Sequence, residues 1–385
     1  MALTSSTWSN RCFKLSHWVG LKTAPWLLAL LTWGAIALPA KADLELRVAV
    51  RSGVSQLILG SSTPAAIRDG SGRTLNQIQG GQALEASLSN GRIILGEWQG
   101  SGFWVEPTNG GYVYIGDRWY RGRVFATLGE GGIIAVNYVD LEHYLYSVLG
   151  GEMPTNWPLD ALQAQAVAAR SYALHQRQSS GNALYDVGAT TTWQVYRGLI
   201  EETDTTRAAV TATEGQVLTY NGQIIEAVFH SSSGGHTENV EDVWTQPLPY
   251  LRGVSDYDEG APVYQWTVDF SDAQFQARIP GIGDLIAAVP DRTTPRGRVV
   301  SMRLEGSSGT RTLSGNEIRQ ALGLRSTLFA ITPMAGGIQV SGRGFGHGIG
   351  MSQWGAHNLA ASGATYDQIL AHYYQGASLA LIQVE

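Results

Sequence analysis

Glu152 is the residue whose type and surroundings most favour acid–base chemistry in this chain of 385 residues. Apolar residues recur at helical spacing over 141–149, and Gly150-Gly151 then predicts the end of that helix. Glu152 would stand just past a helix C-terminus, beside apolar surface from Met153 and Trp157. Both surroundings raise a carboxyl pKa, as a general acid near neutral pH requires. The alternative is a solvated loop residue or a cap of the next helix.

A helix, a break and a second helix must position this carboxyl group. Asp140 is the predicted N-cap of the first helix. Pro154 and Pro158 forbid an immediate restart after it. The second helix is predicted to begin at Leu159, in a segment rich in Ala, Leu and Gln, and to end near Ser179.

Four blocks in this order carry a resemblance to a known family: Gly151–Pro154 with Ala161–Tyr172, Thr192–Tyr196, Phe229–Gly235 and Gly346–Ala356. They resemble the SpoIID/LytB family of stage II sporulation protein D and amidase enhancers, from roughly Asp43 to the C-terminus. The resemblance implies that Glu152 is the catalytic acid and base of a peptidoglycan lytic transglycosylase. It also implies that Arg170 is an active-site residue, although a cation touching Glu152 would lower its pKa. Arg170 could instead orient substrate or tie the two helices together.

Candidates for substrate binding lie in or near these blocks: His230, Ser231, Ser232, Gln194, Tyr250, His347 and Gln353. The serine hydroxyls and the backbone N–H groups around them suit sugar hydroxyls, with a tight turn of satisfied hydroxyls as the alternative. His347, between glycines, is a candidate general base or substrate donor. A serine-hydrolase triad is disfavoured because nothing resembles the Gly-x-Ser-x-Gly motif.

A metal site is not predicted. His230 and His236, with Glu238 and Glu241, lack the helical i, i+4 spacing of a zinc pair. Some relatives bind zinc through Cys and His just before the Gln-Val-Tyr block, whereas residues 182–193 contain neither. We therefore expect neither a metal nor another cofactor.

Residues 1–42 are predicted to be a secretory signal peptide, with an apolar run after Arg11, Lys14 and Lys22 and a small-x-small site at Ala40-Lys41-Ala42. An uncleaved N-terminal anchor is the alternative, although the run is short for a membrane span. The rest of the chain holds 22 basic against 32 acidic residues, since the leader holds four of the 26 basic residues and none of the acidic ones. That balance disfavours nucleic acid as a partner, and no further membrane span is predicted. Cys12, the only cysteine, lies in the leader, which excludes thiol chemistry from the mature chain.

The predicted fold class is α+β, with a β-rich N-terminal lobe over 43–139 and a mixed SpoIID-like catalytic domain over 140–385. A subdomain is predicted to be inserted at about 247–335. Within these regions the pattern predicts a hairpin at Asn221-Gly222 that leads into a strand over 223–229, and a loop from Pro290 to Pro295. Glycines at every second position from Gly342 to Gly350 predict an extended segment with one bare face, which another backbone or a ligand could approach closely.

Two functions follow as hypotheses. The first is an exported lytic transglycosylase that cleaves the MurNAc-β-1,4-GlcNAc bond of glycan strands, and the resemblance implies strands without stem peptides. One carboxyl group suffices there because the muramic C6 hydroxyl is an intramolecular nucleophile. The second is a non-catalytic wall-glycan-binding protein that enhances a partner amidase. Either protein would work in the periplasm, the cell wall or the extracellular space.

Overall fold

The computed structural model describes residues 44–244 and 246–382. The predicted signal peptide, residues 1–42, lies outside the described residues. In the described part of the chain, no helix combines the length and the apolar composition that a membrane crossing needs.

The N-terminal region folds into antiparallel strands. Leu46, Val48 and Val50 of the first strand are buried, while the residues between them are half-exposed. The strands are β1 (Glu45–Val54), β2 (Gln56–Ser61), β3 (Ala65–Asp69), β4 (Thr74–Ile78), β5 (Ala83–Ser89), β6 (Arg92–Leu95), β7 (Trp98–Gly100), β8 (Gly102–Pro107), β9 (Val113–Ile115), β10 (Arg118–Tyr120), β11 (Arg123–Gly129) and β12 (Gly132–Asp140).

These strands form two sheets that contribute to one hydrophobic core. One sheet has the order β10-β9-β2-β5-β6-β7. The other runs β1-β12-β11-β8-β3-β4, and β13 (Val187–Gly188) pairs with β1 in parallel at its edge. Buried residues of both sheets join the helices that follow in a single cluster, which extends from Leu46 to Tyr374.

The helix–break–helix unit is confirmed, with one correction. Helix α1 (Leu141–Glu152) begins at its predicted cap, where the Asp140 carboxylate accepts the N–H of His143 at 3.0 Å. It continues through Gly150-Gly151 and ends at Glu152, so the prediction that these glycines stop the helix is wrong. Met153 is extended because Pro154 follows it, and the proline therefore ends the helix. Helix α2 (Leu159–Ser179) begins where predicted.

The segment after α2 contains a 3-10 turn (Gly198–Glu201), α3 (Asp204–Ala212), β14 (Gln216–Tyr220) and β15 (Gln223–Ile224). The Asn221-Gly222 hairpin is confirmed, and both residues have positive φ. The strand over 223–229 is shorter than predicted. It stops at Ile224, and β16 (Phe229–His230) instead pairs in parallel with β23 (Met351–Ser352).

The remaining elements are α4 (Val240–Val243), β17 (Gln265–Ser271), α5 (Asp272–Arg278), β18 (Leu285–Thr293), β19 (Val299–Gly306), β20 (Gly309–Ser314), α6 (Gly315–Leu322), β21 (Phe329–Met334), β22 (Gly337–Arg343), α7 (Gln353–Ala361), α8 (Tyr366–Tyr373) and β24 (Ser378–Leu381). Residues 265–343, which we call the accessory lobe, have a second hydrophobic cluster of their own that extends from Trp266 to Val340. Strand β18 runs through Pro290, so the loop predicted there is wrong. Its register shifts around Pro290, and an edge strand tolerates a residue that has no N–H to donate.

The α+β class is confirmed by this mixture of helices and sheets. The boundaries predicted at residues 43, 140 and 247–335 stay predictions.

Candidate active site

Glu152, the last residue of α1, faces a cleft of about 820 Å³ that we call the Glu152 cleft. Segments from distant parts of the chain line it: Gly151, Glu152, Tyr172, Thr191, Thr192, Trp193, Val195, Arg197, Glu226, Val228, Phe229, His230, Ser231, Trp244, Arg319, Phe345, Gly346, His347 and Gln353. All four sequence blocks therefore meet at this cleft.

The carboxyl group of Glu152 is held by one strong hydrogen bond. Its Oε1 accepts the backbone N–H of Val195 at 2.6 Å. Burial raises the pKa of Glu152, while that N–H, the Gln353 side chain and the Arg197 charge partly oppose the rise. Burial thus outweighs the groups that favour the ionised form, and the carboxyl keeps its proton to a higher pH than a solvated glutamate.

The apolar surroundings differ from those predicted. Met153 is 2% exposed and belongs to the hydrophobic core. Trp157 packs against Trp354 and His357, with ring centroids 4.6 and 4.7 Å away. Neither Met153 nor Trp157 lines the Glu152 cleft. The backbone around Val195 packs against this end of α1, a contact that no local pattern predicts.

Gly150 and Gly151 make that approach possible. A Cβ at Gly151 would lie 2.7 Å from the carbonyl oxygen of Val195, and one at Gly150 would overlap the carbonyl oxygen of Glu201. The two glycines are therefore packing positions inside the helix, because they let the chain over 195–201 lie against its last turn. The hydrogen bond from Val195 to Glu152 depends on this contact.

His347 is a neutral imidazole with both nitrogens occupied. Its Nδ1 accepts the N–H of Ile349 at 3.1 Å, so its Nε2 carries the hydrogen and donates to the carbonyl of Phe229 at 2.9 Å. Burial, helped by the charges of Arg298 and Arg319, lowers the pKa of His347 to about 4. With no free lone pair, His347 does not fit the predicted role of general base.

His230 is also neutral but has a free nitrogen. Its Nδ1 lies 3.1 Å from the carbonyl of Ile349 and donates to it. Its Nε2 is buried, and within the described part of the chain it has no partner. Burial lowers the pKa of His230 well below its ordinary value, with His347 and Arg298 adding to the effect. His230 lines the cleft, but this acceptor nitrogen is itself shielded from solvent.

The glycines at 344, 346, 348 and 350 do not form the predicted extended segment, because all four have positive φ. The loop they form passes close to the β16 region. A Cβ at Gly346 would lie 2.7 Å from the Cβ of His230, and one at Gly350 would overlap the carbonyl oxygen of Val228. Close backbone approach, the second part of that prediction, is what the structure shows.

Three residues predicted to bind substrate are absent from the cleft wall. Ser232 is buried and donates to Asp258 at 2.5 Å. Gln194 is buried and bonds Tyr144 and the carbonyl of Ala169. Tyr250 is buried, and its hydroxyl accepts the N–H of Glu226 at 3.3 Å. These side chains support the cleft from behind, whereas His230, Ser231, His347 and Gln353 do line it.

Arg170 is the largest departure from the predicted site. Its side chain is 0% exposed and forms a bidentate ion pair with Glu142 of α1, at 2.8 and 2.5 Å. It also donates to the carbonyl of Gln216 at 3.0 Å, and it does not line the Glu152 cleft. These contacts match the alternative role predicted for Arg170, in which it holds α1 and α2 together.

Sequence reasoning missed several cleft residues. Arg197 and Arg319 supply the cations that Arg170 was expected to supply. Glu226 brings a second carboxyl group into the cleft, and the pKa of Tyr172 is raised to about 12 by burial, then by Glu226 and Glu152. Tyr172 ends the first block and could have been singled out. No sequence pattern pointed to Arg319, because it lies outside the four blocks and reaches the cleft from the accessory lobe.

The residues that resembled a metal cluster are engaged elsewhere. Glu238 accepts from Thr294 at 2.5 Å and lies 4.0 Å from Arg298, while Glu241 pairs with Arg252. Over residues 44–244 and 246–382, no group of three or more His, Cys, Asp or Glu side chains is placed to hold a metal ion.

Comparison with known proteins gives two family-model matches. The family model "Stage II sporulation protein" (SpoIID) matches residues 129–220, and a domain of unknown function (DUF8618) matches residues 256–350. Stage II sporulation protein D of Bacillus subtilis (strain 168) is 38% identical over 263 residues, which are 64% of this chain and 76% of that protein.

Two further relatives extend the comparison. Stage II sporulation protein D of Bacillus amyloliquefaciens is 36% identical over 268 residues, 64% of this chain and 75% of the relative. The Amidase enhancer of Bacillus subtilis (strain 168) is 33% identical over 290 residues, 61% of this chain and 40% of the relative. With more than two thirds of two such relatives covered, the chain belongs to the stage II sporulation protein D (SpoIID) family.

Proposed function

We propose that this protein is an exported lytic transglycosylase that cleaves the MurNAc-β-1,4-GlcNAc bond of peptidoglycan glycan strands and leaves 1,6-anhydroMurNAc ends. The names of the relatives, sporulation protein and amidase enhancer, support a role at the cell wall. The observation that carries the proposal is the half-buried carboxyl of Glu152, which lines a cleft large enough for sugar rings and whose pKa is raised by burial.

The geometry suits a single group that acts first as acid and then as base. Because Oε1 of Glu152 is fixed by Val195, Oε2 is left to carry the proton. That proton goes to the glycosidic oxygen as its bond to C1 of the muramic residue breaks. The C6 hydroxyl then bonds to C1 and returns its proton to Glu152, so no water is consumed. Arg197, whose charge favours the ionised carboxyl, would stabilise Glu152 between the two proton transfers.

The walls of the cleft suit a polar chain of rings. Trp193, Trp244 and Phe345 line it, and the last two are 38% and 43% exposed. Exposed aromatic faces provide apolar contact area for the faces of sugar rings. The hydroxyl of Ser231 supplies a hydrogen-bonding group for sugar hydroxyls.

The experiment compares the wild type with Glu152→Gln on peptidoglycan that an amidase has stripped of stem peptides. We expect anhydro-muramoyl products from the wild type and a loss of rate of about a thousandfold in the variant. Glu97→Gln, which changes an exposed carboxyl in the turn between β6 and β7, is the matched control and should behave like the wild type. Products formed equally by Glu152→Gln would contradict the proposal.

The second candidate function is a glycan-binding protein that enhances a partner amidase without cutting glycan. The 33% identity to the Amidase enhancer favours it. In the same experiment, this function predicts that wild type and Glu152→Gln bind the glycan equally and that neither releases products. A purified wall amidase would then release stem peptides faster when either protein is added.

A further inference from the structure

Arg319 reaches the Glu152 cleft from α6 of the accessory lobe. Ser314 and Glu317 form a capping box at the start of α6, with the N–H of Glu317 donating to the serine hydroxyl at 3.1 Å. Ile318 and Leu322 are buried in the second hydrophobic cluster. The helix is thus fixed at its start and along one side, and Arg319 extends from it into the wall of the cleft.

The guanidinium of Arg319 has no counter-ion within the described residues. Its Nε donates to the carbonyl of Leu324 at 3.3 Å, and its two terminal nitrogens make no hydrogen bond there. By contrast, Arg197, the other cation of the cleft, pairs with Glu201 at 3.1 Å. Arg319 is half-buried, so its charge is partly desolvated, and this burial lowers its pKa. A desolvated cation without a partner is costly unless an anion binds to it.

The cleft also holds two carboxyl groups, and Arg197, the cation near Glu152, is already paired with Glu201. Glu152 and Glu226 are near one another, since both raise the pKa of the Tyr172 hydroxyl. Arg319 is near His347, since its charge lowers the pKa of that imidazole. A sugar chain with a negative substituent would therefore place that substituent toward Arg319 and away from the two carboxyl groups.

We propose that Arg319 binds the lactyl carboxylate of an N-acetylmuramic acid residue that has lost its stem peptide. This inference rests on the proposed function, because it takes peptidoglycan glycan as the occupant of the cleft. A free lactyl carboxylate presents two oxygens, which match the two terminal nitrogens of a guanidinium. When a stem peptide is attached, the same carbon is a neutral amide and carries a bulky chain. The accessory lobe then determines specificity, and Arg319 is the residue through which it does so.

The test measures binding in the Glu152→Gln background, where turnover is blocked. Isothermal titration compares three tetrasaccharides: alternating GlcNAc–MurNAc with free lactyl carboxylates, the same compound with lactyl carboxamides, and chitotetraose, which lacks the lactyl group. We expect the carboxylate compound to bind at least about tenfold more tightly than the carboxamide. Adding Arg319→Gln should abolish that ratio and leave the affinity for chitotetraose within about twofold, which also shows an intact cleft. Arg311→Gln, on exposed β20 of the same lobe, is the matched control and should preserve the ratio.

Equal affinity for carboxylate and carboxamide, or a ratio that survives Arg319→Gln, would overturn the assignment even if the wild type forms anhydro ends. If none of the three compounds binds, the proposed function fails and this inference fails with it. If the ratio depends on Arg319 while the wild type forms no products, only the catalytic part of the proposed function is wrong.

Discussion

The backbone N–H of Val195 donates to Oε1 of Glu152 at 2.6 Å, across 43 residues of sequence. This hydrogen bond holds the carboxyl at the end of α1 and leaves one oxygen for a proton. Burial raises the pKa of the group at the same time. The position of the Glu152 carboxyl and its protonation therefore have different causes, and the two can be tested separately.

The raised pKa of Glu152 predicts how stability depends on pH. The folded protein binds this proton more tightly than the unfolded chain, so the free energy of unfolding falls as pH rises from the ordinary glutamate pKa through the raised one. Glu152→Gln removes the titrating group and keeps its shape. We expect the variant to melt about 2 °C or more above the wild type at pH 7.5, and at the same temperature at pH 4. Calorimetry at the two pH values measures this, and a variant that melts lower at pH 7.5 would contradict it.

Arg170 is predicted to act on stability and not on chemistry. Arg170→Ala leaves Glu142, whose side chain is only 15% exposed, without its ion-pair partner and should cost about 3–5 kcal/mol in the free energy of unfolding. Replacing both residues, as Glu142→Leu with Arg170→Met, should recover most of that loss. Urea titration measures stability, and activity is compared per folded molecule. A stable Arg170→Ala protein without activity would restore the catalytic role.

Gly150→Ala should destabilise the protein although alanine favours a helix. The gain in helix propensity is about 1 kcal/mol, but the new methyl group would overlap the carbonyl oxygen of Glu201. We expect a net loss of about 1–3 kcal/mol from the forced displacement. Gly181→Ala has open space around its Cβ and should change stability by less than about 0.5 kcal/mol. A Gly150→Ala protein more stable than the wild type would show that the segment over 195–201 does not depend on this contact.

A variant of Glu226 distinguishes a lytic transglycosylase from a hydrolase that needs two carboxyl groups. Because the muramic C6 hydroxyl supplies the nucleophile in the proposed reaction, Glu226 needs neither to activate water nor to bond to the sugar. Glu226→Gln should keep at least about a tenth of the rate and give the same anhydro ends. Complete loss of cleavage in Glu226→Gln, with its melting temperature unchanged, would point to a reaction that needs both groups.

Local signals predicted the elements that hold the site. Asp140 caps α1 as the sequence predicts, because capping depends on residues three positions apart. The Asn221-Gly222 hairpin is equally local. The four sequence blocks also grouped Glu152, His230, His347 and Gln353, which line one cleft. That grouping came from the family resemblance and not from residue spacing.

Local sequence patterns could not predict the contacts between distant segments. Gly150-Gly151 looks like a helix stop, and only the chain over 195–201 shows that it is a packing site. The partner of Arg170 lies on another helix, and Arg319 belongs to a lobe with its own core. A charged residue in a motif does not show by itself whether it faces a cleft or another charge, so Arg170 was placed wrongly and Arg319 was missed.

Cleavage of peptide-free glycan in water enriched in oxygen-18 tests the central claim most directly. The account predicts that every new muramic end is lighter than a reducing end by one water and carries no oxygen-18, because the C6 hydroxyl of the substrate forms the new bond. It also predicts that Glu152→Gln yields no such ends. New reducing ends that carry one oxygen-18 atom would show that water is the nucleophile, and the proposal that Glu152 is the acid and base of a lytic transglycosylase would be wrong.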